Sequence, residues 1–385
     1  MKKLSKEALK LHKKLKGKLE IKSKIRLKTK NDLSLAYTPG VAFPCLEIKK
    51  EKRKIYDYTW KGNTVAIVTD GSAVLGLGNI GPYAALPVME GKAILFKEFG
   101  KVDAIPICLE TQDVEEIIDI VKKISPSFGG INLEDISAPR CFIIEKKLSE
   151  ELDIPVFHDD QDGTAIVVLA ALINALKLVG KKIEDVKIVI NGAGAAGIAI
   201  TKILYNCGSR KIILCDREGI IYKGRKENMN FAKEEITKYL LDCKKGSLKD
   251  AMEKADVFIG VSGPGLVTKE MIKSMNKNPI VFAMSNPIPE IMPEEAKKAG
   301  AYIVGTGRSD FPNQINNLLA FPGIFRGTFD AKAKKITKEM KLSASLAIAN
   351  YIPENKLSPD YIIPSALDKN VARQVAKAVK KAAKP

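Results

Sequence analysis

Paired cysteines and long hydrophobic runs are both missing from the sequence, and each absence excludes a class of protein. The six cysteines are scattered and form no CxxC pair, which indicates free thiols in a reducing cytoplasm rather than disulfides or zinc sites. The longest apolar run, residues 165–179, contains Asn174 and Lys177 and is too short to cross a bilayer. No apolar segment follows the basic N-terminus, so no secretory signal peptide is expected. The composition therefore predicts a cytoplasmic protein with no membrane partner.

Acidic residues are outnumbered by basic ones. The chain has 45 Asp and Glu against 63 Lys and Arg, which gives a net charge of +18. Residues 1–30, the basic arm, carry a net charge of +11, which leaves +7 for the other 355 residues. The arm has no interleaved aromatic residues, and no nucleic-acid fold motif is present. We therefore interpret the excess as solvated helical faces, with no nucleic-acid partner. Nucleic-acid binding by the arm is an alternative, which a steep salt dependence lost on deleting residues 1–30 would support.

The length of 385 residues and the pattern of apolar runs predict two α/β domains, residues 1–160 and 161–385. The first is expected to be catalytic and to begin with an amphipathic helix, and the second to be a Rossmann-like, doubly wound dinucleotide-binding domain followed by C-terminal helices. The predicted strands are 65–69, 104–108, 155–158, 186–190, 211–215, 256–259, 279–283 and 301–304. The predicted helices are 4–19, 81–96, 114–124, 139–148, 161–180, 195–207, 328–350 and 365–383.

A glycine-rich fingerprint, GAGAAG, follows the predicted strand 186–190 and opens the next predicted helix. In this context the first glycine allows a tight turn, the second admits the pyrophosphate, and the third lets helix and strand pack closely. Asp216, 24 residues after Gly192, ends the next strand and favours NAD by hydrogen-bonding the ribose. Nearby basic residues could instead accept the 2′-phosphate of NADP, namely Arg217, Lys223, Arg225 and Lys233. The predicted cofactor-binding residues of the fingerprint are Gly192, Ala193, Gly194, Ala195, Ala196 and Gly197.

A second GxGxxG, from Gly76 to Gly81, has the same sequence pattern but does not directly follow a predicted strand. It begins seven positions after Thr69, where the preceding strand ends, and the acid at the expected distance, Glu98, falls in a helix-like stretch. We interpret this motif as a flexible loop near the active site and not as a second nucleotide site.

Two acidic pairs, Glu134-Asp135 and Asp159-Asp160, each follow a short apolar run that reads as a buried strand. If both strands lie in one parallel sheet, the four carboxylates meet at its carboxyl edge. Such a cluster repels itself unless a cation is present, and hard oxygen ligands suit Mg²⁺ or Mn²⁺. Because a dinucleotide fingerprint follows, the order of sites indicates a metal-assisted dehydrogenase. Lys92, beside an apolar run, is a candidate base, because an apolar surrounding removes charge from a lysine.

The chain resembles the malic enzymes, in particular the short bacterial and archaeal type. The resemblance is carried by YTPGVA (37–42), VTDGSAVLGLGNIGPYAALPVMEGKAILFK (68–97), INLEDISAPRCF (131–142), VFHDDQDGTAIV (156–167), GAGAAG, MSNP (284–287) and GRSDFPNQINNLLAFPG (307–323). It implies oxidative decarboxylation of L-malate to pyruvate and CO₂, with NAD(P)⁺ and a divalent metal. It also implies a homodimer or larger homo-oligomer, for which the basic arm is a plausible contact.

The same resemblance implies roles for individual residues. The metal ligands fall on Glu134, Asp135 and Asp160, with Asp159 beside them. The general base falls on Lys92 and the proton donor on Tyr37. Three further positions match contacts to malate and to the nicotinamide side, and Lys92 also falls in the substrate site: Asn286, Asn316 and Asn317.

One departure from the family concerns the malate C4 carboxylate. Larger eukaryotic members carry an Arg near the TDG…GLG loop, and this chain reads TDGSAVLGLGN there. The contact is therefore unassigned, with Ser72, Asn79 or the neighbourhood of Lys92 as possibilities. An amino-acid dehydrogenase, which also has a catalytic Lys before a Rossmann domain but needs no metal, is the alternative enzyme.

Overall fold

The computed structural model describes residues 2–383 and contains two separate β-sheets. The first sheet is fully parallel, in the order β2-β1-β3-β4. Strands β1 and β3 are buried along their whole length, as expected for a parallel sheet covered on both faces. The strands of this sheet are β1 (Thr64–Thr69), β2 (Asp103–Cys108), β3 (Gly130–Leu133) and β4 (Val156–His158).

The second sheet has six strands in the order β10-β9-β8-β5-β6-β7, parallel except for the antiparallel pair β6–β7. From the central strand β5 the chain passes to β6 on one side and later returns to β8 on the other, which makes a topological switch point between β5 and β8. The predicted Rossmann-like, doubly wound sheet is confirmed. Its strands are β5 (Lys187–Asn191), β6 (Lys211–Asp216), β7 (Gly219–Ile220), β8 (Val257–Gly260), β9 (Ile280–Ala283) and β10 (Ile303–Thr306).

Helices connect and cover both sheets. The α-helices are α1 (Lys2–Leu15), α2 (Lys30–Ala36), α3 (Ala42–Lys50), α4 (Ile55–Tyr58), α5 (Gly81–Leu95), α6 (Val114–Ile124), α7 (Arg140–Glu151), α8 (Thr164–Val179), α9 (Ala195–Asn206), α10 (Phe231–Ile236), α11 (Leu248–Met252), α12 (Lys269–Lys273), α13 (Pro293–Lys298), α14 (Phe321–Asp330), α15 (Lys338–Ala349) and α16 (Lys369–Ala382). Two π-helical segments, Phe96–Gly100 and Asp159–Gly163, adjoin α5 and α8. Short 3₁₀ helices are Lys52–Lys54, Trp60–Asn63, Leu75–Leu77, Ser125–Ser127, Thr237–Tyr239, Asn317–Leu319 and Glu354–Lys356.

Several predicted helices have different bounds in the structure, including the last one, which begins at Lys369 rather than at residue 365. The single helix predicted over 328–350 is wrong, because α14 ends at Asp330 and a new helix begins at Lys338. Thr337 starts that second helix by accepting a hydrogen bond from the backbone of Met340, a local cap that the apolar pattern did not reveal. The arm helix ends at Leu15, four residues before the predicted end.

Helix α8 and its preceding π turn form one helical stretch of 21 residues, Asp159–Val179. The expectation that this region is too short to span a bilayer is therefore wrong, because the π turn lengthens it. Its mean hydropathy of 1.8 passes the test for a spanning helix, but 67% of the most apolar window is buried inside the protein. Ile166 and Leu169 share one core with Val65 of the first sheet and Ile188 of the second. Burial therefore identifies α8 as the core helix between the sheets.

The C-terminal helices return to the first sheet. The ring centroid of Phe321 on α14 lies 4.7 Å from that of Phe96, which follows α5. Phe325 packs edge-on at 5.3 Å from Phe96 and at 5.9 Å from Phe157 on β4. Residues far apart in sequence thus complete the core beside β4. The boundary at residue 160 stays a prediction, since the segment beyond it contributes to both layers.

The N-terminal segment, residues 4–60, contains no buried residue. The leucines of α1 are exposed in the single chain; Leu4 is 69% and Leu15 52% exposed. The segment touches the body through Lys18, whose backbone N–H donates to Glu90 Oε2 at 3.0 Å.

Candidate active site

The two acidic pairs leave the first sheet side by side. Strands β3 and β4 are parallel neighbours with Leu133 opposite His158, so the residues that follow each strand emerge at the same edge. Carboxylate oxygens of Glu134, Asp135 and Asp160 lie within 4.8 Å of one another. The expected meeting of carboxylates at the carboxyl edge is therefore present in the structure.

This cluster is electrostatically unfavourable without a cation. Glu134 and Asp135 are buried, at 5% and 4% exposure, and Lys92 is the cation that ion-pairs with Glu134. Burial raises the pKa of Glu134 well above its ordinary value, Lys92 opposes this, and the charges of Asp159 and Asp160 add to the rise. Three convergent oxygen donors with excess negative charge fit a hard divalent cation such as Mg²⁺ or Mn²⁺.

Lys92 lies on α5 and forms ion pairs with two acidic residues. Its Nζ lies 3.0 Å from Glu134 Oε1, contacts the Asp159 carboxylate, and sits 4.2 Å from the ring centroid of Phe321. Burial alone would lower the pKa of Lys92, but the charges of Asp159 and Glu134 outweigh it and raise that pKa. The expectation that an apolar surrounding removes the charge of Lys92 is therefore wrong for this arrangement of the site.

A cavity of about 480 Å³ brings several predicted residues together. Asn317 contributes its amide, which donates to the Asp159 carboxylate behind the cavity wall. Lys18, from the basic arm, stands at the same cavity and was not predicted; a Lys in a Lys-rich arm gives no sequence signal. The lining residues are Lys18, Ala73, Pro87, Val88, Gly91, Lys92, Leu95, Glu134, Asp135, Asp160 and Asn317.

Three predicted residues are not part of this lining. Tyr37 is 66% exposed on the N-terminal segment. Asn316 caps the short helix before α14 by accepting the N–H of Leu318 at 2.8 Å. Asn286 is exposed in the loop after β9, and its carbonyl oxygen lies against Gly76, where a Cβ would come within 2.2 Å. The second GxGxxG therefore packs on this loop; its flexibility stays a prediction.

The dinucleotide fingerprint lies between β5 and α9, at the switch point of the second sheet. Gly192 has φ of 120°, a conformation that favours glycine. A Cβ on Gly197 would lie 1.7 Å from the carbonyl oxygen of Gly192, so the turn requires glycine there. At Gly194, by contrast, a Cβ would meet nothing within 4 Å. This open side at the start of α9 is where a pyrophosphate can approach backbone N–H groups.

Asp216 ends β6 as predicted, but its carboxylate is already engaged. Arg225 donates to both oxygens, with Nη1 at 2.9 Å from Oδ1, and Lys233 Nζ lies 2.6 Å from Oδ2. Burial would raise the pKa of Asp216, but Arg225 and Lys233 lower it. The preference for NAD relied on an acid available to the ribose, and the structure instead shows an acid that pairs with two buried cations.

Glu290 was missed by the sequence argument. It is fully buried and accepts backbone N–H groups from Ser262 at 3.0 Å and from Ser285 at 3.1 Å. These serines lie in the loops after β8 and β9, so one carboxylate ties together two loops at the carboxyl edge of the second sheet. No spacing pattern marks Glu290 in sequence, because its partners are backbone groups.

The first sheet presents three carboxylates suited to a divalent cation. The second sheet presents a dinucleotide-binding turn at its topological switch point. That combination defines a nicotinamide-dependent dehydrogenase with two domains.

Comparison with known proteins names the family. Residues 16–149 match the model of the malic enzyme N-terminal domain, and residues 161–384 match that of the malic enzyme NAD binding domain. The chain belongs to the malic enzyme family. As a member it is an NAD(P)-dependent malate oxidoreductase of the decarboxylating type.

Relatives of known name agree over nearly the whole chain. A bifunctional malic/malolactic enzyme of Bacillus subtilis is 62% identical over 381 residues, which cover 99% of this chain and 93% of the relative. An NAD-dependent malic enzyme of Geobacillus stearothermophilus is 60% identical, covering 95% and 77%. The crystal structure of an NAD-dependent malic enzyme from Thermotoga maritima superposes with a TM-score of 0.93 at 53% identity, covering 97% and 98%. Relatives named as NADP-dependent malic enzymes match at 47–51% identity.

Proposed function

We propose that this chain converts L-malate to pyruvate and CO₂ with NAD(P)⁺, using Mg²⁺ or Mn²⁺ held by Glu134, Asp135 and Asp160. The observation that carries this proposal is the convergence of those three carboxylates on one cavity with Lys92. A divalent cation held by these three carboxylates would supply Lewis-acid chemistry to a bound hydroxy acid.

Lys92 takes the proton of the C2 hydroxyl in this proposal, and the dinucleotide held at the fingerprint would supply the hydride acceptor. The base must be neutral to act, yet Glu134 and Asp159 favour its charged form. Glu134 cannot serve the ammonium and a metal site equally, so ligation weakens its pair with Lys92 and favours deprotonation. Asp159 then keeps the amine in position, with Asn317 holding Asp159.

Tyr37 supplies the proton at C3 that converts the enolate into pyruvate. A phenol with the usual pKa of about 10 is a weak acid at neutral pH, so Lys92 and Tyr37 are expected to share a proton as a coupled pair. Asn286 and Asn316 would contact malate or the nicotinamide. Asn286 is exposed, and the side-chain oxygen of Asn316 accepts the N–H of Leu318.

Both NAD and NADP are proposed as cofactors. Arg225 and Lys233 leave a net positive charge beside Asp216, which suits a 2′-phosphate, and the relatives of known name include both kinds. We further propose a homodimeric or larger assembly in the cytoplasm, with L-malate as its small-molecule partner.

A malolactic activity is a second candidate, favoured by the 62% identity to a bifunctional malic/malolactic enzyme. The site would then retain pyruvate and the reduced cofactor long enough to return hydride to C2 and release lactate. Lactate formed from malate without net accumulation of NADH is the distinguishing product.

The decisive assay follows absorbance at 340 nm with L-malate, each cofactor in turn, and Mn²⁺ either added or removed with EDTA. We expect NAD(P)H and pyruvate only when metal is present. Full activity in EDTA would instead support a metal-free amino-acid dehydrogenase type of chemistry and contradict the proposal.

A further inference from the structure

The loops after β8 and β9 share one buried carboxylate, that of Glu290. One of its oxygens lies 3.0 Å from the backbone N of Ser262, and the other lies 3.1 Å from that of Ser285. Burial raises the pKa of Glu290, these N–H groups lower it, and no cation within the described residues 2–383 forms an ion pair with it. Hydrogen bonds to both oxygens favour the ionised form. A buried charge without a counterion is costly unless another group compensates it.

The surrounding backbone fixes this carboxylate in place. A Cβ on Gly260, the last residue of β8, would lie 2.4 Å from Cδ of Glu290, so a larger residue there would displace the acid. The carbonyl oxygen of Glu290 accepts the N–H of Val267 at 3.1 Å. Because both the side chain and the backbone of Glu290 are held, the position of its charge is set before any ligand binds.

Glu290 is also connected to the dinucleotide turn. Ser262, whose N–H it accepts, receives a hydrogen bond on its Oγ from Asn191 Nδ2 at 2.9 Å. Asn191 is the last residue of β5 and directly precedes Gly192 of the fingerprint. A Cβ on Gly192 would lie 2.6 Å from the carbonyl oxygen of Val261, so the loop after β8 packs closely on the turn. The carboxylate and the turn therefore belong to one continuous hydrogen-bonded wall of the cofactor site.

The topology of the second sheet indicates which half of a dinucleotide comes near Glu290. Strand β6, which ends at Asp216, lies on one side of β5, and strands β8 and β9 lie on the other. A dinucleotide that crosses the switch point with its adenosine ribose near β6 extends its nicotinamide end toward the loops after β8 and β9. The loop after β9 also carries Asn286, which packs against Gly76 of the first domain. The charge of Glu290 is thus on the nicotinamide side of the site.

We propose that Glu290 supplies a fixed negative charge that raises the affinity of this site for the oxidised cofactor relative to the reduced one. The nicotinamide ring is positively charged in NAD(P)⁺ and neutral in NAD(P)H, so a carboxylate in a buried environment attracts only the oxidised ring. When the ring accepts a hydride from the substrate its charge disappears, and this attraction is lost. Glu290 therefore also favours release of the reduced product. The inference rests on the binding of a nicotinamide cofactor and not on the identity of the substrate.

Glu290→Gln tests the role of the charge, because it keeps the size of the side chain but cannot ionise. The Kd of the oxidised cofactor is measured by calorimetric titration and that of the reduced cofactor by its fluorescence, both without malate. We expect the ratio of the oxidised to the reduced Kd to rise about 5- to 30-fold, the effect of removing one partly screened charge at a distance of several ångströms. A residue that only holds the two loops would weaken both forms equally.

Two further variants separate charge from structure. Glu294→Gln makes the same change of charge at an exposed position on α13 and should leave both Kd values unchanged. Glu290→Asp keeps the charge but is one methylene shorter, so it should lose a backbone contact and unfold at lower urea concentration. The ratio of the two Kd values should nevertheless stay near that of the wild type in Glu290→Asp.

The outcomes that overturn the inference are distinct from those that concern the cofactor itself. An unchanged Kd ratio in Glu290→Gln overturns it, whether or not both forms bind more weakly. An equal shift of the ratio in Glu290→Asp and Glu290→Gln also overturns it, because only one of these variants has lost the charge. If Glu290→Gln does not fold, a raised ratio in Glu290→Asp is sufficient to overturn it. Wild-type protein that binds neither form of the cofactor contradicts the assigned cofactor instead.

Discussion

The Nζ of Lys92 lies 3.0 Å from Oε1 of Glu134, so the proposed base and a proposed metal ligand form one buried ion pair. The second oxygen of Glu134 accepts from Asn132 Nδ2 at 2.9 Å, which fixes the carboxylate between strand and helix. Metal ligation and the charge of Lys92 therefore compete for the same group. This competition offers a physical route by which filling the metal site prepares the base.

Removal of the base is the first prediction. Lys92→Met should lower kcat for malate oxidation roughly 10²- to 10⁴-fold, the usual contribution of a general base. Binding of NAD(P)⁺, measured by titration, should stay unchanged because the fingerprint lies on the other sheet. Lys97→Met, at an exposed residue shortly after the end of α5, is the control and should keep wild-type turnover. A loss below tenfold in Lys92→Met would count against the assigned role.

Replacing one carboxylate oxygen of Asp160 tests the metal site. Asp160→Asn keeps the shape of the side chain but removes its charge, so Mn²⁺ should bind at least about tenfold more weakly. Free Mn²⁺ measured by electron paramagnetic resonance gives the affinity without turnover. Asp119→Asn, which changes an exposed carboxylate on α6, should bind as the wild type does. Equal affinity in Asp160→Asn and wild type would place the ion elsewhere.

Two glycines of the fingerprint should behave differently. Gly197→Ala forces a Cβ to 1.7 Å from the Gly192 carbonyl oxygen, so the free energy of unfolding should fall by about 1–3 kcal/mol. Gly194→Ala meets no protein atom within 4 Å and should unfold at the wild-type urea concentration. Its methyl group faces the pyrophosphate approach, so cofactor affinity should still fall. Normal cofactor binding by Gly194→Ala would refute this view of the turn.

The choice between cofactors should depend on Lys233. Lys233→Gln removes one of the two cations beside Asp216, so kcat/KM with NADP should fall about tenfold or more. The same ratio with NAD should change less, because NAD has no 2′-phosphate. Lys238→Gln, at an exposed lysine two residues beyond α10, is the control. Parallel losses with both cofactors would show that Lys233 only supports the local structure.

Glu145 makes stability depend on pH. It accepts a hydrogen bond from Gln161 Nε2 at 2.8 Å, and burial together with the charge of Asp162 raises the pKa of Glu145 from 4.5 to about 8. The folded state therefore keeps a proton that the unfolded state has lost, and the free energy of unfolding falls as pH rises from 4.5 to 8.

Glu145→Gln retains an acceptor for Gln161 and cannot ionise. Its midpoint of urea unfolding should therefore decline less than that of the wild type as pH rises through this window. Glu150→Gln, at an exposed position on the same helix, should follow the wild-type curve. Identical slopes for Glu145→Gln and wild type would mean that Glu145 is ionised in the folded protein.

Much of this protein follows from local sequence. Apolar runs predicted both sheets apart from the short antiparallel strand β7, because strands and helices obey the short-range periodicities of buried segments. The GAGAAG motif predicted the turn before α9, because its glycines avoid steric clashes between residues close in sequence. The positions of the two acidic pairs predicted that their carboxylates converge, because each pair follows a strand and parallel strands end at one edge of the sheet.

Only the tertiary structure decided which charged groups lie beside Lys92 and Asp216. Lys92 gains two acids from residues distant in sequence, and Asp216 gains two cations from the segment that follows β6. Those charges favour the charged form of Lys92 and occupy the carboxylate of Asp216. Lys18 meets the cavity, and the C-terminal helices return to the first sheet, by the same long-range folding. A pKa and a binding site depend on the groups within a few ångströms in space, whereas periodicity and spacing describe neighbours along the chain.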